Sequence, residues 1–516
     1  KTTTQGGGGK GGGGGSTQTK TTSYSYSLSF ALALCVGPID RIGRVWADGK
    51  PFTLSEVSHR LYLGGSDQVA DPLIQSVEGV DAAPAYRGTA YLVFEDLPLG
   101  PFGDRVPQIS VEVFRKPVSA SSEPDLADLV RGVALSPGTG EFAYATTPVR
   151  RVLRPGVYES ENVHSFDGRA DVDAALDQLE LELPKVSATS LVVSWFGTDL
   201  RAALCSVRPG VALAERQTEP LSWSAGGIVR GSAHVVSKDA EGRPSYGGTP
   251  SDASVIEALK DLRARGHEVL FYPFLLMDIP PGNTLPDPWT GAAAQPVFPW
   301  RGRITVAAAP GQPGSSDQTP AAAAEVASFF GQAKPGDFHL ADGVVQYQGP
   351  AEWGFRRFIL HYAHLAKAAG GVDAFAIGSE LRSLTQIRSG KATYPAVNAL
   401  KDLAADVRAI LGPDVLITYA ADWSEYFGHQ PNDGSGDAMF HLDPLWADDN
   451  IDAIGIDAYF PLSDWRAETD GDADRDGSTY DLDYLRENLE GGEGYDWFYG
   501  SDVERTNQNR SAIEDR

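Results

Sequence analysis

From residue 190 onward the sequence alternates between short apolar runs and longer amphipathic ones, and this alternation restricts the fold more than any other feature. The apolar runs are SLVVSWF (190–196), AHVVS (233–237), EVLFYPFLL (268–276), DAFAIG (373–378), VLITYAADW (415–423) and IDAIGIDAYFPL (451–462). Between them lie DASVIEALKDLRARG (252–266), FRRFILHYAHLAKAAGG (355–371) and NALKDLAADVRAILG (398–412), with helical spacing and glycine stops. Strands that are nearly continuous in apolar residues, separated by helices, predict a parallel sheet covered on both faces. The six runs account for six strands of a (β/α)8 barrel, leaving it incomplete within this chain. A doubly wound sheet also accepts six units, but no glycine-rich nucleotide turn follows the first strand, so the barrel is the better reading.

Within that pattern the stretch VDAFAIGSEL (372–381) places an acidic residue, Glu380, where an apolar strand gives out. Catalytic groups of an α/β barrel sit at the C-terminal ends of its strands. Glu380 is therefore read either as a functional carboxylate or as a strand-end acid that caps the next helix or pairs with an arginine such as Arg382. The other strand ends carry Trp195 with Asp199, Tyr272, Tyr419 with Asp422 and Trp423, and Asp457 with Tyr459. Aromatic faces and carboxylates are what a saccharide cleft needs, and they are also ordinary packing at a barrel mouth.

Charge and composition narrow the function classes. The 516 residues carry 69 acidic and 43 basic side chains, a formal net charge of −26, which argues against a nucleic-acid-binding surface. No run of eighteen apolar residues or signal peptide predicts a membrane span. Cys35 and Cys205 lie in or beside apolar segments and read as small core residues. His361 and His364, three apart on a helix, have the look of helix-face residues, and no cofactor is expected. The one metal motif is DGDADRDGSTYDLD (470–483): Asp472, Asp474, Asp476, Gly477 and Asp483 match calcium-loop positions one, three, five, six and twelve. Position twelve is Asp rather than Glu, so a solvated acidic loop is preferred there over calcium.

Four regions follow. Residues 1–22 are Gly-, Thr- and Lys-rich and read as a flexible linker or loop. Residues 23–117 alternate with a period near two, turn at Asp48-Gly49, and read as a β-rich domain. Residues 118–170, with a short helix at 125–133, read as a connector. Residues 171–516 read as the barrel, opening on an amphipathic helix with Val172, Ala175, Leu176, Leu179 and Leu183 on one face. The chain is expected to be a piece of a longer protein.

Three strings carry a resemblance: FALALCVGPIDRIGRVWADGK (30–50), YRGTAYLVFEDLPLGPFGDRVPQISVEV (86–113) and LVRGVALSPGTGEFAYATTPV (129–149). Together they resemble the baseplate hub ("megatron") proteins of gene transfer agents, phage-derived tailed particles that move host DNA, and the tail-tip proteins of long-tailed phages. The resemblance implies a multidomain protein, a β-rich tail-hub domain followed by a glycoside-hydrolase-like TIM barrel. It implies a virion location at the tail tip, other baseplate and tail proteins as partners, a homotrimer around the tail axis, and contact with host envelope glycan. It makes Glu380, at the end of strand four, the candidate acid/base, with the nucleophile expected beyond Arg516 at the end of strand seven. Trp195, Tyr272, Tyr419, Trp423, Asp457 and Tyr459 are then the candidate substrate-binding residues. Related active barrels carry Asn before the acid/base, whereas Ser379 stands here. A structural hub is therefore preferred, with a retaining glycoside hydrolase acting on envelope polysaccharide or peptidoglycan as the alternative.

Overall fold

The computed structural model describes residues 2–3, 21–22, 25–116, 125–137, 140–164, 168–341, 344–426, 428–459, 480–487, 497–501, 503–504, 507 and 509–512. Most of the 1–22 segment and all of Asp472, Asp474, Asp476 and Gly477 lie outside these residues. Asp483 is exposed on a short helix, where it pairs with Arg486. The chain divides into two compact units, Lys1–Val130 with Asn162–Lys185, and Arg131–Glu161 with Val186–Arg516.

The first unit is β-rich. Strands β1 (Ser27–Val36), β3 (His59–Tyr62) and β4 (Thr89–Pro98) form one antiparallel sheet in the order β1-β4-β3. Strands β2 (Arg41–Ala47) and β5 (Ile109–Phe114) form a second, with Lys50–Pro51 on its edge. The turn at Asp48-Gly49 pairs Ala47 with Lys50 and has φ of 52° and 74°, the mirror-image geometry that matches the twist of a hairpin. The core gathers on Leu92, Phe94 and Leu97 of β4, against Phe30, Leu61 and Ile109 among others. Helix α1 (Asp171–Glu182) belongs to this unit and not, as its amphipathic pattern suggested, to the barrel.

The second unit is built on parallel strands: β6 (Gly132–Leu135), β7 (Ala188–Gly197), β8 (Glu268–Met277), β9 (Ala374–Ser379), β10 (Leu416–Asp422) and β11 (Gly455–Asp457). They pair in that order, β6-β7-β8-β9-β10-β11. Helices α2 (Asp252–Ala264), α3 (Pro320–Phe330), α4 (Phe355–Ala368) and α5 (Pro395–Leu411) connect them. Each parallel pair needs such a crossover because the chain must return to its starting end. Ser251 caps α2 through the Ser254 amide, and Gly266 at φ 88° lets the chain turn after it. Among the described residues the sheet remains open, the geometry of an incomplete TIM barrel.

Two strand assignments move. AHVVS contributes only His234–Val235, which pairs with Gly210–Val211 away from the main sheet. The stretch expected as a connector supplies β6 instead, parallel to β7 from Ala188 to Leu191. Four residues bracketed by glycine and proline carry too little periodicity to announce a strand. The exchange leaves β9 fourth in sheet order, so Glu380 still follows the fourth parallel strand. Cys205 is buried and Cys35 half-buried, both as free thiols.

Candidate functional site

Strand periodicity decides which aromatics reach the mouth. On β8, Phe271 points outward onto Tyr362 of α4, while Tyr272 and Phe274 point to the inner face. The Tyr272 hydroxyl donates to Asp457 Oδ2 at 2.6 Å. Asp457 ends β11, directly opposite Asp422 at the end of β10. A bulge in β9 between Ala376 and Ser379 shifts the register before Ser379 pairs with Ala420, and Glu380 follows with φ +48°. A side chain in that left-handed region costs about 1–3 kcal/mol unless its surroundings hold it, and such residues gather at functional sites.

Glu380 is 6% exposed. Its Oε2 accepts from the Trp300 indole at 2.6 Å and from Arg301 Nη2 at 3.0 Å. Arg301 is equally buried: Nε donates to the Ser379 carbonyl at 2.8 Å, Nη2 to the Ser379 hydroxyl at 2.9 Å, and the guanidinium lies 3.7 Å from the Phe274 ring centroid. The arginine that pairs with Glu380 is therefore Arg301, not Arg382. Ser379, in the place where the resemblance implies Asn, anchors that arginine.

Two donors converge on one oxygen of Glu380, and the carboxyl beside it, Asp457, meets a different balance. Burial pushes Asp457 up to about 6; the Tyr272 hydrogen bond opposes this, and Glu380 adds to it both as a charge and as a hydrogen-bond partner. The Tyr272 hydroxyl is itself raised, first by burial and then by the Asp457 charge. Asp457 therefore holds its proton into mildly acidic pH.

Three aromatics are exposed beside the pair: Trp300 at 37%, Trp423 at 41% and Tyr459 at 74%. The Trp423 amide donates to the Asp457 carbonyl at 3.2 Å. The Tyr459 hydroxyl is raised by burial and by the charges of Glu380, Asp457 and Asp422, within whose electrostatic reach it lies. The structure thus brings together Glu380, Asp457, Tyr272, Trp423 and Tyr459.

It does not bring Trp195 or Tyr419 to the mouth. Trp195 is fully buried on the outer face, donating to the Tyr362 hydroxyl at 3.1 Å and packed on Phe358 and His361. Tyr419 is fully buried beneath Glu380, its hydroxyl accepting from the Leu381 amide at 2.8 Å and donating to Glu425. Asp199 is buried and engaged by Arg201 and Gln295, tying a loop. Both aromatics lie within strands, but an apolar run gives no phase, so sequence alone does not say which face each occupies.

Trp300 and Arg301 were missed. They lie about 80 positions before Glu380, in the loop between β8 and α3. That loop runs for more than 40 residues after a strand's C-terminal end, which is the signal that could have found them.

Residues 353–516 match the family model described as the GTA TIM-barrel-like domain, a span that contains β9, β10, β11, Glu380 and Asp457. Over that span the chain is similar to the GTA TIM-barrel-like domain family. The GTA domain match leaves Trp300 and Arg301 outside it, although they complete its carboxylate pair. Among solved structures, a chain of the virion of a native gene transfer agent particle is 54% identical over 23% of this chain and 28% of that one, with a TM-score of 0.20. A GH113 β-1,4-mannanase complex is 15% identical over 56% of each chain, TM-score 0.26. The GH113 β-mannanase of Alicyclobacillus acidocaldarius is 16% identical over 58% of this chain and 56% of that one, TM-score 0.24. At such TM-scores the mannanase superpositions carry no argument about the site. No curated protein matches.

Proposed function

We propose that the chain is a structural component of a gene transfer agent particle, a hub protein of the tail tip that presents a glycan-binding barrel mouth to the host envelope during DNA delivery. The 54% identity to a chain of such a virion supports this reading most directly. The GTA TIM-barrel-like match over 353–516 supports it independently of that chain. In this reading the β-rich unit assembles with other tail proteins, as a homotrimer around the tail axis, and the aromatics Trp300, Trp423 and Tyr459 stack on sugar rings. Deleting the chain from a producing strain is expected to leave particles with incomplete tails and no DNA delivery. Complete, delivering particles formed without it would overturn the proposal.

A second reading, a glycoside hydrolase acting on envelope polysaccharide or peptidoglycan, is favoured by the Glu380–Asp457 pair itself. Retaining hydrolysis needs two carboxyls about 5–5.5 Å apart, on either side of the scissile bond. Glu380 Oε2 is held by two donors and Asp457 Oδ2 by the Tyr272 hydroxyl, which supports binding over hydrolysis. A Glu380→Gln chain separates the two: the hub reading expects intact particles and no saccharide release from either parent or variant, the hydrolase reading expects release by the parent and its loss in the variant.

A further inference from the structure

Glu380 holds a backbone conformation that side chains rarely adopt, and two of the groups that fix it never face the mouth. Its own amide donates to the Ala420 carbonyl at 2.8 Å, back into the sheet. The next amide, of Leu381, leaves the ladder and donates to the Tyr419 phenol oxygen at 2.8 Å. The phenol donates in turn to Glu425 Oε1 at 3.0 Å. Glu425 is fully buried, and it also accepts from the Asp422 amide at 3.1 Å and the Thr385 hydroxyl at 2.5 Å. Thr385 ends the single helical turn Arg382–Thr385 that follows Glu380, and His441 Nε2 lies 3.3 Å from its hydroxyl. One buried carboxyl thus ties the end of β10 to the turn that Glu380 begins.

We propose that Tyr419 and Glu425 are positioning residues, a buried brace that fixes the backbone at Glu380–Leu381 and so holds the Glu380 carboxylate beside Asp457. The proposal rests on the reading of Glu380 and Asp457 as the pair that faces the ligand. Without the phenol, the Leu381 amide is a buried donor with no acceptor, and the left-handed turn loses what over-determines it. Glu380 then relaxes toward an ordinary backbone and its carboxylate leaves Asp457.

Asp457 reports the outcome without any ligand, because part of the upward shift in its pKa comes from Glu380; Tyr272 and Arg301 are the other groups that face it, and Tyr459 and Asp422 lie around it. The carbonyl stretch of its protonated carboxyl, identified by its loss in Asp457→Asn, is followed by infrared spectroscopy as the whole chain is titrated. Tyr419→Phe is expected to lower the midpoint by about half a pH unit or more. Glu425→Gln is expected to leave it in place: the amide oxygen accepts from Asp422 and the phenol, and the amide NH2 donates to Thr385. An unmoved midpoint in folded Tyr419→Phe overturns the brace. If that variant fails to fold, Glu425→Asp is read instead, since its shorter side chain draws the carboxyl away from the phenol, and an unmoved midpoint there overturns it equally. A midpoint unmoved by Glu380→Gln overturns the carboxyl pair itself, a failure of the site reading rather than of the brace.

Discussion

Arg301 and Glu380 form an ion pair whose side chains are 4% and 8% exposed, and its energetics are those of a buried pair. Removing one partner strands the other charge in the interior, which typically costs about 3–5 kcal/mol. Arg301→Met, which keeps the apolar stem, is therefore expected to destabilise the barrel unit by about 3 kcal/mol, read as a lowered urea midpoint. Glu380→Gln, which removes the charge but keeps an acceptor for Trp300 and Arg301, is expected to cost less. Asp457 gives a pH signature of opposite character to that of a stabilising carboxylate. In the folded chain it keeps its proton to about 6, whereas an unfolded aspartate releases it near about 4. Between those values the folded state binds more protons, so the contribution is fully present below about 4 and is lost as pH rises through about 6. Asp457→Asn is expected to lose less stability than the parent chain between pH values of about 4.5 and 7.5, measured by urea unfolding at each pH.

The elements that hold this pair are a sheet whose outer face is covered by α4. Phe355, Phe358, Tyr362 and their neighbours fill the space between α4 and the β7, β8 and β9 side chains Trp195, Phe271 and Phe375. Phe358 is fully buried, so Phe358→Ala removes a large side chain from a packed layer and is expected to cost about 3–5 kcal/mol in urea unfolding. Long elements of this kind were legible: β8, α2, α4 and α5 fall within a few residues of their sequence-based bounds. Glu380 was legible for the same reason, since VDAFAIGSEL both ends a strand and starts a turn. What was not legible depends on phase or on distance along the chain. Trp195 sits in a run apolar on both faces, and its side is set by α4, not by local pattern. Trp300 and Arg301 belong to a loop with no periodicity, and only the folded chain brings them to Glu380. The strand β6 is four residues long, and its identity lies in a partner more than 50 positions away.

At the scale of the whole chain, the boundary between the two units is the consequence that is simplest to test. A cut before residue 171 follows the composition; the packing follows a different line, because 131–161 is interleaved with the barrel unit. Its β6 pairs with β7, and the Tyr144 hydroxyl lies 2.8 Å from the Leu135 carbonyl and 2.7 Å from that of Val192, clamping the two strands. Glu141 pairs with Arg230 in the interior and accepts from the Ala212 amide at 2.7 Å. Phe142, Ala145 and Val149 share a core with Val211, Trp223 and Ala225. A piece spanning 186–516 forfeits all of these and exposes Arg230 as a buried charge without its carboxylate, together with one edge of β7. Each loss is of the order of a few kcal/mol, comparable with the whole stability of a domain. A piece spanning 131–516 keeps them. Expressed side by side, the longer piece is expected to be soluble with a cooperative thermal transition, and the shorter one to aggregate or to melt at a clearly lower temperature. Equal thermal midpoints for the two would mean that β6 and the Tyr144 clamp add nothing to the barrel.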